Sequence, residues 1–304
     1  GLGLGADIAQ PNPVGAWLQP ATSAAVPMPK SGLLGIPSVP MAEDVIRVIG
    51  LRAAMRAQLD SLLGYRGAKE RTLGGLVRKR MGAAVLEQLV APVTLGVHSR
   101  HPDDLDLDVV APGLRAALLS TVSLAHAVQR LRSSAPAGSA VAGIDGGIYR
   151  LIETLAARLD AIGVEVRTGA KVIDVKADRV TLEDGEVIEA ERVVLACVSQ
   201  RQEKLQEREA AGIVLATLVV RAPELDIAPR GTGLLVAAGA HGIRAKALTH
   251  ATAKWPWLAS RLEPGIHVLR LSYDAESAGE APGDALREQA RADAAKLLGI
   301  DLPA

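Results

Sequence analysis

Phenylalanine is absent from this chain, and aromatic residues of all kinds make up only 2% of it. An interior built from its 49% hydrophobic residues must therefore be filled by Leu, Val and Ala. Cysteine is nearly missing too. Cys197 stands alone, which excludes a disulfide framework and fits a reducing compartment. Excess charge of either sign is lacking, since 34 Lys and Arg balance 34 Asp and Glu. No bulk charge points to nucleic acid, and no nucleic-acid partner is expected. Every long apolar run is broken by charge well short of the roughly eighteen residues that a spanning helix needs. No signal-peptide pattern opens the chain, and because it does not begin with Met its true start is expected upstream. The 304 residues suffice for two domains or one large one with a sizeable core.

The opening "GLGLGADIAQPNP" places Gly1, Gly3 and Ala6 at the G-x-G-x-x-G/A spacing of a dinucleotide-binding turn. That fingerprint needs a strand before it, a helix after it and a carboxylate about twenty residues on. Here Pro11 and Pro13 follow too soon for a useful helix, and Gln19-Pro20-Ala21-Thr22 holds no acid. The stretch reads as loop or strand entry.

Residues 1–40 are rich in Pro and Gly, with extended pieces such as Ala16-Trp17-Leu18, and "VPMPKSGLLGIP" reads as edge strand or loop. Helical spacing runs through "MAEDVIRVIGLRAAMRAQLDSLLG" and then through "LGGLVRKRMGAAVLEQLVAPV", capped by Thr72 and ended by Pro92. A third helix is expected from about Pro112 to Arg132, with "HPDDLDLDVV" between as loop or short strand. From Ala140 onward a glycine turn enters an amphipathic helix that closes at Gly163. Asp184-Gly185 marks a hairpin, and "VVLAC" has the wholly apolar character of a strand buried on both faces. "QRQEKLQERE" reads as solvated charge. "GIVLATLVVRA", "GTGLLVAAGA", "IRAKALTHATA" and "IHVLRLSYDA" read as strands of an antiparallel sheet, followed by the closing helix "DALREQARADAAKLLGI". The fold class is α/β with mixed α+β character.

Local chemistry is sparse. Six histidines lack metal-ligand spacing, and no metal is expected. Cys197 reads as a buried inert thiol; Ser31, Ser99 and Ser199 sit in no nucleophile elbow. Asp104, Asp106 and Asp108 lack the pattern of a calcium loop. Arg47, Arg52 and Arg56 with Arg78-Lys79-Arg80 form either a solvated face or a surface that meets anionic lipid or an acidic ligand.

"VPMPKSGLLGIPS" followed by "RTLGGLVRKRMGAAVLEQLVAPVTLGVHSRHPDDLDLDVVAPGL" resembles the bacterial coproporphyrinogen III and protoporphyrinogen IX oxidases, within the flavin amine oxidase superfamily. The similarity continues in order through "GIDGGIYRLIETLAARL", "VRTGAKVIDV", "DGEVIEAERVVLAC", "GTGLLV" and "KWPWL…VLRLSYD". It covers the middle of such an enzyme, without the N-terminal G-x-G-x-x-G unit or the C-terminal FAD segment. The resemblance implies a partial FAD-binding domain, an antiparallel-sheet substrate domain and a helical insertion. By it, 1–40 contribute substrate-domain strands and loop, 41–135 a helical membrane-facing domain, 136–200 part of the FAD domain, and 201–304 the substrate sheet and closing helix.

What the resemblance implies for function is an FAD-dependent oxidation of coproporphyrinogen III to coproporphyrin III with molecular oxygen in heme biosynthesis. The alternatives are protoporphyrinogen IX oxidation, a truncated or redesigned non-catalytic porphyrin-binding scaffold, or another flavin amine oxidase. FAD is the implied cofactor and a tetrapyrrole the implied substrate; little tight flavin binding or activity is expected without the dinucleotide finger. Val172 matches a position whose backbone meets the FAD adenine. Leu235, Leu248 and the Val268–Tyr273 strand, Tyr273 included, match the pocket-lining region or else pack the sheet. Lys30 is a propionate partner or a solvated loop lysine. Trp255 is a pocket wall or a core or interface residue. No catalytic residue is assigned. A cytoplasmic enzyme is implied, with peripheral contact at the inner face of the membrane and a homodimer or a heme-pathway enzyme as partner.

Overall fold

The computed structural model describes residues 1–30, 32–134, 141–196, 212–275 and 283–302. The chain divides into two compact units, Gly1–Ile8 with Gly146–Ala211, and Ala9–Asp145 with Gly212–Ala304. Cys197, Ser31, Ser199 and the charged segment 200–209 lie outside the described residues.

The larger unit contains a helical block of α1 (Glu43–Ile49), α2 (Leu51–Gln58), α3 (Leu73–Met81), α4 (Ala91–His98), α5 (Leu114–Thr121) and α6 (Leu124–Ser134). Its core is mostly Leu, Val and Ala, with Ile36, Ile49 and Met81 beside them, and is centred on Leu73, Leu76, Leu86, Leu114 and Leu118. Three helices that periodicity predicts as continuous are each broken. Gly50, at φ 78 and ψ 158, separates α1 from α2, and Gly82 at φ 95 ends α3. Val122, held at φ 61, separates α5 from α6.

Thr72 does cap α3, its Oγ1 accepting the Gly75 N–H at 3.1 Å. Pro92, however, ends nothing. The chain widens into a π-helical turn over Leu86–Val90 that runs straight on into α4, and Pro92, which has no N–H to give back to the preceding turn, stands just after that widening. The acidic stretch is helical rather than extended: a 3-10 turn at Pro102–Asp104 precedes a helical turn, Leu107–Val110, capped by Asp106.

A tight turn at Leu34 (φ 50) and Gly35 (φ 82) joins the short strands Gly32–Leu33 and Ile36–Pro37. It lies so close to the π-helical turn that a Cβ on Gly35 would stand 2.2 Å from the Leu89 carbonyl oxygen.

A six-stranded sheet completes this unit: β1 (Trp17–Gln19), β2 (Val26–Pro27), β3 (Ile213–Arg221), β4 (Gly233–Val236), β5 (Ala247–His250) and β6 (Ile266–Asp274), in the order β3-β6-β5-β4-β1-β2. It is mixed rather than wholly antiparallel, because β4 runs parallel to β1. The amphipathic helix α7 (Asp284–Leu298) covers one face. There Ala290, Ala294, Leu297 and Leu298 pack with Leu234, Leu248, Leu269, Leu271 and Tyr273. Asp293 fastens this packing: it accepts from the amides of Arg244 and Ala245 and from the Tyr273 hydroxyl at 3.1 Å. Burial, with Asp293 beside it, pushes the Tyr273 phenol far above its ordinary range.

The smaller unit holds the helix Tyr149–Ala161 and a three-stranded meander of Val172–Val175, Arg179–Leu182 and Val187–Glu189. The hairpin turns at Asp184-Gly185, Gly185 having φ 91, and Gly163 follows the helix at φ 78. Residues 193–196, the described part of "VVLAC", are not a buried strand. They lie outside regular structure, with Val194 88% exposed; an apolar run becomes a doubly buried strand only where strands flank it on both sides. Among the described residues, no helix is long and apolar enough to cross a membrane.

Candidate functional site

The sheet of the larger unit has two unlike faces because side chains alternate along each strand. In β6, His267, Leu269, Leu271 and Tyr273 are buried, while Val268, Arg270 and Ser272 are turned to the opposite face. The pairing register adds Leu215, Thr217 and Val219 from β3, Ala247 and Thr249 from β5, and Leu235 from β4 to that second face.

Helix α4 roofs one end of it. A Cβ on Gly96 would lie 2.5 Å from Leu235 Cδ2 and 3.9 Å from Ala247 Cβ, so the bare glycine lets the helix settle onto the sheet. Leu18 and Leu235 at this end join the core of the helical block. Over β3 and β6 the face is open, leaving Leu215 48% and Val219 68% exposed. The result is a half-covered slot of mixed lining, with Leu215, Val219, Val268, Ala247 and Leu235 as its apolar part and Arg270, Ser272, Thr217 and Thr249 as its polar part.

Strand alternation sorts the residues expected from the sequence. Leu235 is on this face. Leu248, 2% exposed, and Tyr273, 0% exposed, belong to the opposite face and the α7 core, so they do not line the slot; taking the whole strand as lining overlooked its two-residue period. Trp255 is half-buried beside Gly143, with the Lys254 ammonium 5.4 Å from its ring centroid. Lys30 is exposed in the loop after β2, its amide donating to Asp44 Oδ2 at 3.1 Å. The structure therefore does not bring these residues to one surface. Arg270 and Gly96 were not singled out by residue type, yet the parity of Arg270 against Leu269 and Leu271 was a readable signal.

The basic cluster does not form a free face. Arg80 is buried on Asp60, Arg78 binds both oxygens of Asp103 at 3.0 and 2.6 Å, and Lys79 pairs with Glu70. Asp103 is held below the usual carboxylate range by that Arg78 contact. Asp108 pairs with Arg115, and no group of three potential metal ligands occurs among the described residues.

The described residues fit a flavin in one respect. Val172 stands on the outer strand of the meander, whose outward backbone edge pairs with no strand among the described residues and is open to a ligand. For a pyrophosphate they do not fit. Gly3 leads into a four-residue 3-10 turn, Leu4–Asp7, followed by extended Ile8, with no α-helix N-terminus to receive the anion.

Comparison with known proteins settles the family. The family model described as flavin-containing amine oxidoreductase matches residues 19–208. The chain belongs to this family. Among curated proteins, this amine oxidoreductase chain is 25% identical over 204 residues to the coproporphyrinogen III oxidase of Propionibacterium freudenreichii subsp. freudenreichii. That alignment covers 56% of this chain and 39% of the relative, so the chain spans well under two thirds of the relative's length. Among solved structures, its fold is similar to an Exiguobacterium sp. 255-15 protein assigned by inference as a protoporphyrinogen oxidase. The match has a TM-score of 0.77 at 21% identity and covers 99% of this chain and 68% of that one. A redesigned putrescine oxidase shares the fold at a TM-score of 0.56 and 14% identity, over 98% and 66% of the two chains.

Proposed function

We propose that this flavin amine oxidoreductase chain takes part in oxidising coproporphyrinogen III to coproporphyrin III with molecular oxygen, in heme biosynthesis. The observation that carries the reading is the half-roofed sheet face between α4 and the open strands β3 and β6. Bound FAD would accept hydride equivalents and pass the electrons to oxygen. The chain's own part is then positional. Leu235 and Ala247, at the end roofed by α4, would meet the macrocycle and keep water from it. Val172 is a candidate backbone contact for the adenine. No side chain on the face is a ready general base, in keeping with a reaction whose difficult step belongs to the cofactor. The curated relative's name supports the same substrate class; protoporphyrinogen IX, a cyclic tetrapyrrole of the same ring skeleton, is the alternative substrate.

Titrating coproporphyrin into the purified chain is expected to give a saturable shift of the Soret band. No shift at any concentration would overturn the reading, and a shift without turnover would leave a porphyrin-binding scaffold. Because the described residues lack a pyrophosphate cradle, the same preparation should show little flavin absorbance at about 450 nm.

Peripheral attachment to the cytoplasmic face of a membrane is proposed on a different feature. Leu51, Met55, Leu59 and Leu62 are exposed along one stripe of α2 and the turn after it, beside Arg52. Flotation with anionic vesicles should carry the protein upward, and Leu59→Glu with Leu62→Glu should abolish it.

A further inference from the structure

We propose that Arg270 is the carboxylate anchor of the half-roofed sheet face, making that face selective for tetrapyrroles that carry acidic side chains; the inference rests on the porphyrin reading above. Arg270 stands midway along β6, one strand in from the sheet edge, in register with Thr217 on one side and Thr249 on the other. Its neighbours along the strand on the same face are Val268 and Ser272, and the next row of β3 offers Leu215 and Val219. Charged long side chains are poor choices for the middle of a pleated surface flanked by aliphatic groups.

The other charges at this sheet are already matched. Lys246 binds Asp274 at 2.5 Å, and Arg221 binds Glu263 at 2.9 Å. Arg270, the charged residue of the face, has neither an ion pair nor a side-chain hydrogen bond among the described residues. A guanidinium offers two parallel N–H groups to a planar carboxylate. Two threonine hydroxyls in register beside it can complete the oxygen's hydrogen bonds. A macrocycle seated over Leu235 and Ala247, at the roofed end of the face, would turn a propionate of its rim toward Arg270 on the next strand.

Equilibrium titrations with two ligands of the same shape separate the possibilities: coproporphyrin, which bears carboxylates, and its tetramethyl ester, which does not. Wild type should bind the acid more tightly than the ester, with an affinity for the acid that falls as salt rises. Arg270→Leu should weaken the acid about ten- to a hundredfold, leave the ester within about twofold and remove the salt dependence; Arg270→Lys should keep part of the gain. Circular-dichroism melts check that both variants fold, and salt dependence in wild type decides the matter if Arg270→Leu does not. Equal binding of acid by wild type and Arg270→Leu, or equal binding of acid and ester by wild type, would overturn the anchor while leaving the porphyrin reading intact. If wild type bound neither ligand, the porphyrin reading and the anchor would fall together.

Discussion

Replacing Arg80 with methionine is expected to cost the larger unit about 3–5 kcal/mol of stability, a large share of the roughly 5–15 kcal/mol that holds a typical domain together. The side chain is fully buried in α3 and spends all five of its N–H donors. Nε reaches Asp60 Oδ1 at 2.6 Å, and the two terminal nitrogens reach the carbonyls of Gly64, Arg66, Asp60 and Val122 at 2.6–3.1 Å. Asp60 in turn accepts from the Ser123 hydroxyl at 2.7 Å and the Ala125 amide at 3.0 Å. Removing the guanidinium leaves a carboxylate and four carbonyls short of a partner in the interior, and each unsatisfied group carries its own desolvation penalty. Lysine at this position should rescue little, because its three donors on one nitrogen cannot reach the same spread of acceptors. The double change Arg80→Met with Asp60→Leu should recover part of the loss, since the uncompensated charge is then gone. All three tryptophans, Trp17, Trp255 and Trp257, lie in this unit, so urea unfolding followed by their fluorescence reads it directly. A loss below about 1 kcal/mol for Arg80→Met would sink the account.

That network also explains where local sequence signals stop. The cap at Thr72, the Asp184-Gly185 hairpin, the sheet strands and the amphipathic closing helix each carry a signal that lies within a few residues, whether a cap, a turn, an alternation or a helical period, and a local reading finds them. The break at Val122 rests on a guanidinium 42 positions earlier that binds its carbonyl, and no window along the chain contains both. Charge was misread for a related reason. Consecutive residues on a helix point about 100° apart, so Arg78, Lys79 and Arg80 meet Asp103, Glu70 and Asp60 in three directions instead of forming one basic face. At the candidate site, Leu235 was legible from the resemblance. Leu248 and Tyr273 fell on the wrong face, because likeness of a strand to a pocket wall identifies the strand and not the alternate residues that reach the pocket.

Acidification from pH 6.5 toward pH 4 is expected to remove on the order of 3 kcal/mol from the same unit through one side chain, His250. Asp226 accepts from His267 Nε2 at 3.1 Å, which leaves His267 Nδ1 as an acceptor. That nitrogen receives the His250 Nε2–H at 2.9 Å, with the Thr252 hydroxyl also 3.2 Å away. The chain of bonds therefore assigns His250 its proton on Nε2 and leaves its fully buried Nδ1 bare and without a partner. Adding a proton there would create an imidazolium in the interior. Burial, and after it the neighbouring His267, lowers the pKa of His250 from 6.5 to about 4. The unfolded chain takes up this proton near pH 6.5 while the folded one refuses it until about pH 4. The contribution is therefore intact above pH 6.5 and is lost progressively as pH falls through that window. His250→Leu should be less stable than wild type at pH 7, having lost a hydrogen bond, yet its stability should decline less between pH 6.5 and 4, so that the two pH curves converge. Parallel curves from urea unfolding at closely spaced pH values would show that His250 titrates as freely in the folded protein as in the unfolded chain, and the proton assignment along this row would then be wrong.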